Sequence, residues 1–169
     1  MEDYNEAIRL NPIYVDAIYN RGTLWVRKQE FDKAIEDFSK VISLNPKDAL
    51  AYNNRGFAWQ KAGDYDKAIS DYDESIRTNP RDFKSFYNRA VSWLMKRDID
   101  NAMRDFKTAI ELNPQESSCA EQISFLYSVK GDFPQAVIWI KKALATDNLN
   151  KVERYTMLKS YEEGKPYRP

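Results

Sequence analysis

The sequence predicts an all-α solenoid built from pairs of antiparallel helices. Asn-Pro pairs end at Pro12, Pro46, Pro80 and Pro114, a constant interval of 34 residues that indicates an internal repeat. Glycine and proline are scarce, at 5 and 7 of 169 residues, which favours long helices over a turn-rich β fold. Hydrophobic residues make up 43% and charged residues 31%, the composition of a folded chain that can bury a core.

Other residue types keep the same interval. The series are Ala34, Ala68, Ala102 and Ala136; Trp25, Trp59, Trp93, Tyr127 and Tyr161; and Tyr4, Phe38, Tyr72, Phe106 and Ile140. The chain therefore divides into the second helix of a truncated repeat (1–14), repeats at 15–48, 49–82, 83–116 and a divergent one at 117–150, a capping helix (151–163) and a loose tail (164–169). Since the first segment lacks its partner helix, we expect this chain to begin inside a larger array.

Each repeat is predicted to form two helices, and the second repeat shows the signals most clearly. Asp48 is placed to cap the first helix and Asp64 the second. Gly63 suits the left-handed residue that ends the first helix, and Asn79-Pro80 ends the second. Gln29 and Arg97 replace this glycine in the first and third repeats, so we expect modest backbone strain there.

The spacing of small and large residues resembles that of the tetratricopeptide repeat. Position 8 of each repeat is small (Gly22, Gly56, Ala90, Ser124), and Val41, Ser75, Ala109 and Ala143 occupy position 27. The resemblance covers nearly the whole chain. It implies a right-handed superhelix whose first helices line a concave groove, and a non-enzymatic scaffold that binds an extended segment of a protein partner.

Groove residues follow from the resemblance. Position 6 carries Asn20, Asn54 and Asn88, and position 5 carries Tyr19, Asn53 and Tyr87; Phe57 and Lys84 belong to the same predicted face. Because an amide side chain both donates and accepts hydrogen bonds, a row of asparagines can pair with the backbone of a peptide, and the aromatic residues can contact its apolar side chains. The alternative is that these asparagines are an ordinary hydrated surface.

The family's clamp for the carboxylates of a chaperone tail is only partly present. Asn54, Lys84 and Asn88 match it, but Tyr19 and Thr23 stand where a lysine and an asparagine are needed. Without the lysine, a buried carboxylate lacks its cation. The sequence therefore disfavours a chaperone tail as the ligand.

An arginine row at position 7 predicts structural ion pairs. Arg21, Arg55 and Arg89 recur with Asp37, Asp71 and Asp105, and the fourth repeat replaces both members, by Ile123 and Trp139. Joint replacement within one repeat favours pairs within each repeat, since a core-facing guanidinium demands a partner. The alternative is a row that binds an anionic ligand.

Several function classes are disfavoured. The chain has no histidine and no phosphate-binding loop or paired-cysteine motif, so we expect no enzyme activity, no metal site and no cofactor. Lys+Arg and Asp+Glu both number 26, which argues against nucleic-acid binding. No apolar run approaches the ~20 residues that cross a bilayer, and a secretory signal is absent, so a cytoplasmic location is the default expectation.

Two other roles stay open on the sequence alone. An unpaired N-terminal helix would leave apolar surface near Tyr4, Ala7 and Ile8, through which two copies could form a homodimer. Alternatively, the array is a regulatory segment of a larger protein. The single cysteine, Cys119, falls at a small-residue position and is expected to be an inert core residue.

Overall fold

The computed structural model describes residues 1–146 and 150–167, and it places ten helices and no strand among them. They are α1 (Glu2–Leu10), α2 (Val15–Arg27), α3 (Phe31–Leu44), α4 (Ala49–Ala62), α5 (Tyr65–Thr78), α6 (Phe83–Met95), α7 (Ile99–Leu112), α8 (Ser117–Val129), α9 (Phe133–Thr146) and α10 (Lys151–Glu162). Helices alternate with short connections, so the all-α solenoid predicted from the repeat is confirmed.

The Asn-Pro pairs follow α1, α3, α5 and α7, and the asparagine side chain forms the turn that ends each of these helices. Oδ1 of Asn45 accepts a hydrogen bond from the backbone N–H of Lys47 at 3.3 Å, across the intervening proline. The equivalent bond recurs at Asn11, Asn79 and Asn113, with distances of 3.2 to 3.4 Å. This side-chain turn substitutes for the helical hydrogen bond that proline cannot make, which explains why the two residues recur together.

Aspartates begin the helices as the sequence predicts. Asp48 Oδ1 accepts from the backbone N–H of Ala51 at 2.9 Å, and Asp64 Oδ1 accepts from Lys67 N at 3.1 Å. Gly63 ends α4 with φ of 90°, while Gln29 and Arg97 adopt φ of 60° and 63° at the equivalent places. The turn geometry is therefore kept even where a side chain makes it unfavourable.

The chain forms two compact units, and the first spans Met1–Lys96. Within it each of the six helices packs against the next, and the first helices α2, α4 and α6 also contact one another in order. A Cβ at Gly22 would lie 2.9 Å from the ring of Phe38, and one at Gly56 would lie 2.9 Å from the ring of Tyr72. The small residues therefore let each pair of helices approach closely enough for an aromatic ring to fill the space between them.

The second unit spans Arg97–Pro169, and α7 to α10 pack in sequence within it. Cys119, Ile123 and Ile140 are fully buried, so the core position expected for Cys119 is confirmed, and burial raises the pKa of its thiol to about 12. The last helix buries Met157, Tyr161 and also Arg154. The Arg154 guanidinium donates to Glu121 Oε2 at 2.7 Å and to Ser117 Oγ at 2.8 Å, which ties α10 to α8.

Two local features lie outside the regular core. In the segment after α10, Lys165 N donates to Ser160 O at 2.9 Å, and the Tyr167 hydroxyl donates to Glu153 Oε1 at 3.4 Å. The loose tail at 164–169 stays a prediction, and residues 168 and 169 lie outside the described residues.

The shared repeat position of the tryptophans predicts core residues, but Trp25 and Trp59 are only half-buried. The ammonium groups of Lys33 and Lys67 lie 4.7 and 4.2 Å from their ring centroids. A lysine over the ring face is a favourable way to cover a half-exposed indole.

Candidate functional site

The three asparagines at position 6 lie on the neighbouring first helices of the first unit. We call Asn20 of α2, Asn54 of α4 and Asn88 of α6 the asparagine row. Asn20 is exposed, and Asn54 and Asn88 are half-buried, so each is accessible from outside the core. Two hydrogen bonds described below join a residue at position 5 to the row residue of the next repeat, which shows that the row runs across adjacent helices.

The first of these bonds joins Asn54 to Tyr19. Asn54 Nδ2 donates to the hydroxyl oxygen of Tyr19 at 2.6 Å. Burial raises the pKa of Tyr19, with a smaller contribution from the Asp48 carboxylate, so the phenol stays protonated at neutral pH. Among the described residues no donor to Asn54 Oδ1 is recorded. This amide oxygen is therefore available to a ligand.

The second bond joins Asn88 to Asn53. Asn88 Nδ2 donates to Asn53 Oδ1 at 3.1 Å, and Asn53 Nδ2 donates to Ser85 Oγ at 2.6 Å and to Asp82 Oδ2 at 3.2 Å. Asn53 is only 8% exposed. The sequence placed Asn53 among the groove residues, but the structure buries it beneath the row. Its amide supports Asn88 from inside.

The partners of Asn53, Ser85 and Asp82, belong to a polar network between the second and third repeats. Ser85 Oγ donates to Asp82 Oδ2 at 2.7 Å and lies 2.8 Å from the hydroxyl oxygen of Ser75. Ser75 Oγ in turn donates to the carbonyl of Ala49 at 2.8 Å. Ser75 and Ser85 are fully buried, and their hydrogen-bonding capacity is used. Such a network holds its members in one arrangement.

Sequence reasoning missed these supporting residues, although a signal was present. Val41, Ala109 and Ala143 stand at the repeat position of Ser75, while Ala17, Ala51 and Cys119 stand at that of Ser85. Serine replaces an apolar residue at both facing positions in this junction alone. A paired change of that kind indicates a buried hydrogen bond.

The other predicted groove residues occupy the same helices with different exposure. Lys84 at the start of α6 is exposed, and Tyr87 and Phe57 are half-buried. The Lys61 ammonium lies 5.2 Å from the centroid of the Phe57 ring. Leu50, which precedes Asn54 by one helical turn, is 61% exposed. Polar amides, apolar side chains and cations therefore alternate across this face.

Gln60 adds a further polar contact below Asn88. Its Nε2 donates to the backbone carbonyl of Asn88 at 3.1 Å and to Ser92 Oγ at 2.9 Å. Both bonds cross from α4 to α6. They tie the backbone that carries Asn88 to the preceding repeat, a role that no residue pattern in the sequence indicates.

The arginine row in the first unit is engaged in structural pairs. Arg21 and Arg55 each make two parallel bonds to the aspartate of their own repeat, with Nε–Oδ2 distances of 2.8 Å and Nη2–Oδ1 distances of 2.6 Å. The predicted partners Asp37 and Asp71 are thereby confirmed. Arg89 Nη1 contacts Asp73 at 2.5 Å; its predicted pair with Asp105 of the second unit stays a prediction.

Each arginine also reaches back to the preceding repeat. Arg21 Nη1 donates to Asn5 Oδ1, and Arg55 Nη1 donates to Ser39 Oγ, both at 3.0 Å. With all three nitrogens used, Arg55 joins α4 to α5 and to α3. The structure therefore supports the structural interpretation of this row over an anion-binding one.

Within the described residues no helix is long and apolar enough to cross a membrane, and no group of three or more acidic or cysteine side chains is arranged to hold a metal ion.

Solved structures show where this fold occurs. A crystal structure of MamA is similar over 89% of this chain and 87% of that one, with 23% identity and a TM-score of 0.82. YrrB, described as a tetratricopeptide-repeat protein with an unusual peptide-binding site, covers 95% of this chain and 84% of its own at 18% identity and a TM-score of 0.76. The first such domain of Spaghetti (RPAP3), bound to the HSP90 peptide SRMEEVD, covers 69% and 92% at 17% identity and a TM-score of 0.67.

No curated protein sequence is recognisably similar to the chain. Family models of the tetratricopeptide repeat match residues 49–82 and 83–116, and a further model of the same repeat matches residues 24–63. Together the three span more than half of the 169 residues. With the helix pairs, the small-residue positions and the structural likeness described above, they show that the chain belongs to the tetratricopeptide-repeat family.

Proposed function

We propose that the chain is a protein-interaction scaffold, and that the asparagine row binds the backbone of an extended segment of a partner protein. The observation that carries the proposal is the arrangement of Asn54 and Asn88. Each uses an Nδ2 donor to bond a residue of the preceding repeat, and for neither amide oxygen is a donor recorded among the described residues. Acceptors available on neighbouring repeats can pair with backbone N–H groups of an extended ligand.

The surroundings of the row support a peptide better than a small molecule. Leu50 and Phe57 offer apolar surface, and Lys84 offers an exposed cation on the next repeat. An extended chain can contact such spaced positions because its side chains alternate in direction along the backbone. The similar structures of YrrB, with its peptide-binding site, and of the RPAP3 domain, bound to an HSP90 peptide, support a peptide as the occupant.

The test is a change of Asn20, Asn54 and Asn88 to alanine in one variant. A library of capped 12-residue peptides of random sequence is passed over the immobilised protein, and the retained peptides are quantified by mass spectrometry. Since each lost backbone bond contributes about 1 kcal/mol, we expect at least a tenfold drop in retention. Affinity capture from a native lysate with the same two proteins then identifies partners.

A matched control changes Glu36 and Ser70, which are exposed residues at one equivalent position of the second helices. This control should retain peptides as the parent does. Circular dichroism checks that both variants remain helical. Undiminished retention by a folded triple-alanine variant would exclude the asparagine row as the binding element.

A second candidate function is self-association through α1. No residue of α1 is buried, and Leu10 and Ile13 just beyond its end are 69% and 63% exposed. Covering this surface with a second copy would produce a homodimer. Light scattering over a concentration series should then show a rising mass that Leu10→Lys with Ile13→Lys abolishes; a constant monomer mass counts against it.

A further inference from the structure

We infer that Asp82, acting through Asn53, fixes the orientation of the Asn88 amide. Asn88 then accepts a backbone N–H of the ligand and selects against ligands that lack one. The inference rests on the proposed function, because it specifies what the asparagine row recognises. It assigns positioning roles to two residues beneath the row, neither of which touches the ligand.

The orientation follows from the chemistry of the carboxylate. An ionised aspartate accepts hydrogen bonds and donates none. Asp82 Oδ2 already accepts from the backbone N–H of Ser85 at 3.3 Å and from the Ser85 hydroxyl at 2.7 Å, and it lies 3.2 Å from the Asn53 amide. Asn53 must therefore turn its Nδ2 towards Asp82, because the opposite orientation would set two acceptor oxygens against each other.

The fixed orientation of the Asn53 amide in turn fixes that of Asn88, which is accessible from the surface. With Nδ2 of Asn53 directed at Asp82 and Ser85, its Oδ1 faces Asn88. Asn88 must therefore donate a hydrogen bond to this oxygen from its own Nδ2, at 3.1 Å. Asn88 Oδ1 is then left facing outward. Because Asn53 is 8% exposed, water cannot easily replace either bond, and the arrangement is held.

The exposed Oδ1 determines which backbone group of a ligand Asn88 can bind. An acceptor pairs with a peptide N–H and repels a carbonyl oxygen, so an extended ligand must place a backbone N–H opposite Asn88 Oδ1. Proline or an N-methylated residue at that point has no such donor. Asn54 also donates its Nδ2 to a neighbour, but Tyr19 can donate as well as accept, so this second amide has no comparable constraint.

The decisive substitution is Asp82→Asn. Asparagine keeps the shape of the residue and remains a good helix cap, but its amide can donate to Asn53 Oδ1. Both orientations of Asn53 and Asn88 then become satisfied. Asp48→Asn is the matched control. Asp48 caps α4 at the equivalent repeat position, and position 5 of its own repeat is a tyrosine, Tyr19, where the repeat of Asp82 has Asn53.

The first measurement needs no ligand. Side-chain amide spectra of ¹⁵N-labelled protein should show one set of Asn53 and Asn88 signals, with one Asn88 proton protected from exchange. Asp82→Asn should produce a second set or lose that protection, and Asp48→Asn should leave both as they are. Asn88 signals in Asp82→Asn identical to those of the parent would overturn the inference.

The second measurement uses the random 12-residue library beside an N-methylated library of the same composition. If the two orientations of Asn88 are about equally populated in Asp82→Asn, only half of the molecules present Oδ1 to the ligand, and peptide retention falls about twofold. The parent should retain the N-methylated library at least tenfold less than the unmodified one. Equal retention of the two libraries, or a loss in Asp48→Asn as large as in Asp82→Asn, contradicts the inference.

The two measurements separate the possible failures. A locked Asn88 amide together with library retention that ignores the triple-alanine change would remove the proposed function and leave the positioning network intact. If the Asn88 amide turns freely but peptide retention still depends on the asparagine row, only the positioning inference is removed and the proposed function stands.

Discussion

At the scale of single residues, equivalent positions of the repeat do not carry equivalent chemistry. Phe38, Tyr72 and Phe106 occupy one position and are all fully buried. The Tyr72 hydroxyl has no hydrogen-bond partner among the described residues, and burial strongly raises its pKa. A buried hydroxyl without a partner costs free energy that phenylalanine at the same position avoids.

Tyr72→Phe is therefore expected to raise the free energy of unfolding by up to about 1 kcal/mol, measured by urea denaturation at pH 7. The folded-state pKa of Tyr72 lies above that of the unfolded chain, so its contribution is constant below pH 10 and declines as the unfolded state ionises above it. The advantage of the phenylalanine variant should then grow above pH 10. A less stable variant at pH 7 would show that the hydroxyl is bonded.

The difference between Asn53 and Asn54 shows what a single sequence can predict at this scale. Both were assigned to the groove from their repeat positions, yet Asn53 is buried and Asn54 is half-buried. Position within a helix predicts the face of a residue to within about one neighbour. Which of two adjacent amides turns inward depends on partners in the next repeat, here Ser85 and Asp82, and these are brought together only by the fold.

At the scale of helices, the turn between the two helices of a repeat is fixed by geometry rather than by residue type. Gly63 adopts φ of 90°, while Gln29 and Arg97 are held at 60° and 63°. A non-glycine residue in this region is destabilised by about 1 kcal/mol. The tertiary contacts of the helix pairs evidently outweigh that cost.

Gln29→Gly should consequently raise the free energy of unfolding by about 1 kcal/mol, and Gly63→Ala should lower it by a similar amount. Open space surrounds the Cβ position of Gly63, so backbone strain is the only local cost of the alanine. Thermal melts of the two variants, recorded with the parent, give the comparison. The two variants must change the free energy of unfolding in opposite directions if backbone strain is the cause. A destabilised Gln29→Gly would point to a role for the glutamine side chain.

The arginine pairs also belong to this scale, because each guanidinium joins three helices. Arg55 and Asp71 have side chains that are 21% and 7% exposed. Burial raises the pKa of Asp71 even beside the Arg55 guanidinium, so desolvation offsets much of the attraction. The pair should therefore contribute more to the arrangement of the helices than to net stability.

Arg55→Ala is expected to lower the free energy of unfolding by about 2–3 kcal/mol, because it leaves the Asp71 carboxylate buried without its partner. The double variant Arg55→Met with Asp71→Leu should recover most of that loss, as the apolar Ile123 and Trp139 of the fourth repeat suggest. Arg77→Ala, which breaks an exposed pair with Glu74, is the control and should change little. An unchanged melting temperature in Arg55→Ala would refute the structural role.

At the scale of the whole chain, the constant interval of 34 residues was enough to predict the fold. Helix caps, Asn-Pro ends and small residues all follow one register, and local and tertiary preferences agree. The interval marks Ser75 and Ser85 only as departures from the apolar residues of the other repeats; their hydrogen-bond partners are brought together by the fold. The bonds of the segment after α10 lie outside the repeats, so the interval carries no information about them.

A repeat array should also lose structure in stages, because each helix pair contacts only its neighbours. In the first unit α1 packs against α2 and has no buried residue, whereas α3 and α5 bury alanine, isoleucine and aromatic side chains. Stability should therefore be lowest at α1 and highest in α3 to α5.

Native-state hydrogen exchange tests this gradient. Amides of α1 should exchange at least about a hundredfold faster than those of α5, since local opening of α1 exposes little apolar surface. Ile8→Ala, which removes a contact between α1 and the cluster around Ile18 and Val41, should accelerate exchange in α1 and leave α5 unchanged. Uniform protection from α1 to α5, or an effect of Ile8→Ala that spreads over all of them, would mean that the first unit unfolds as a single cooperative block.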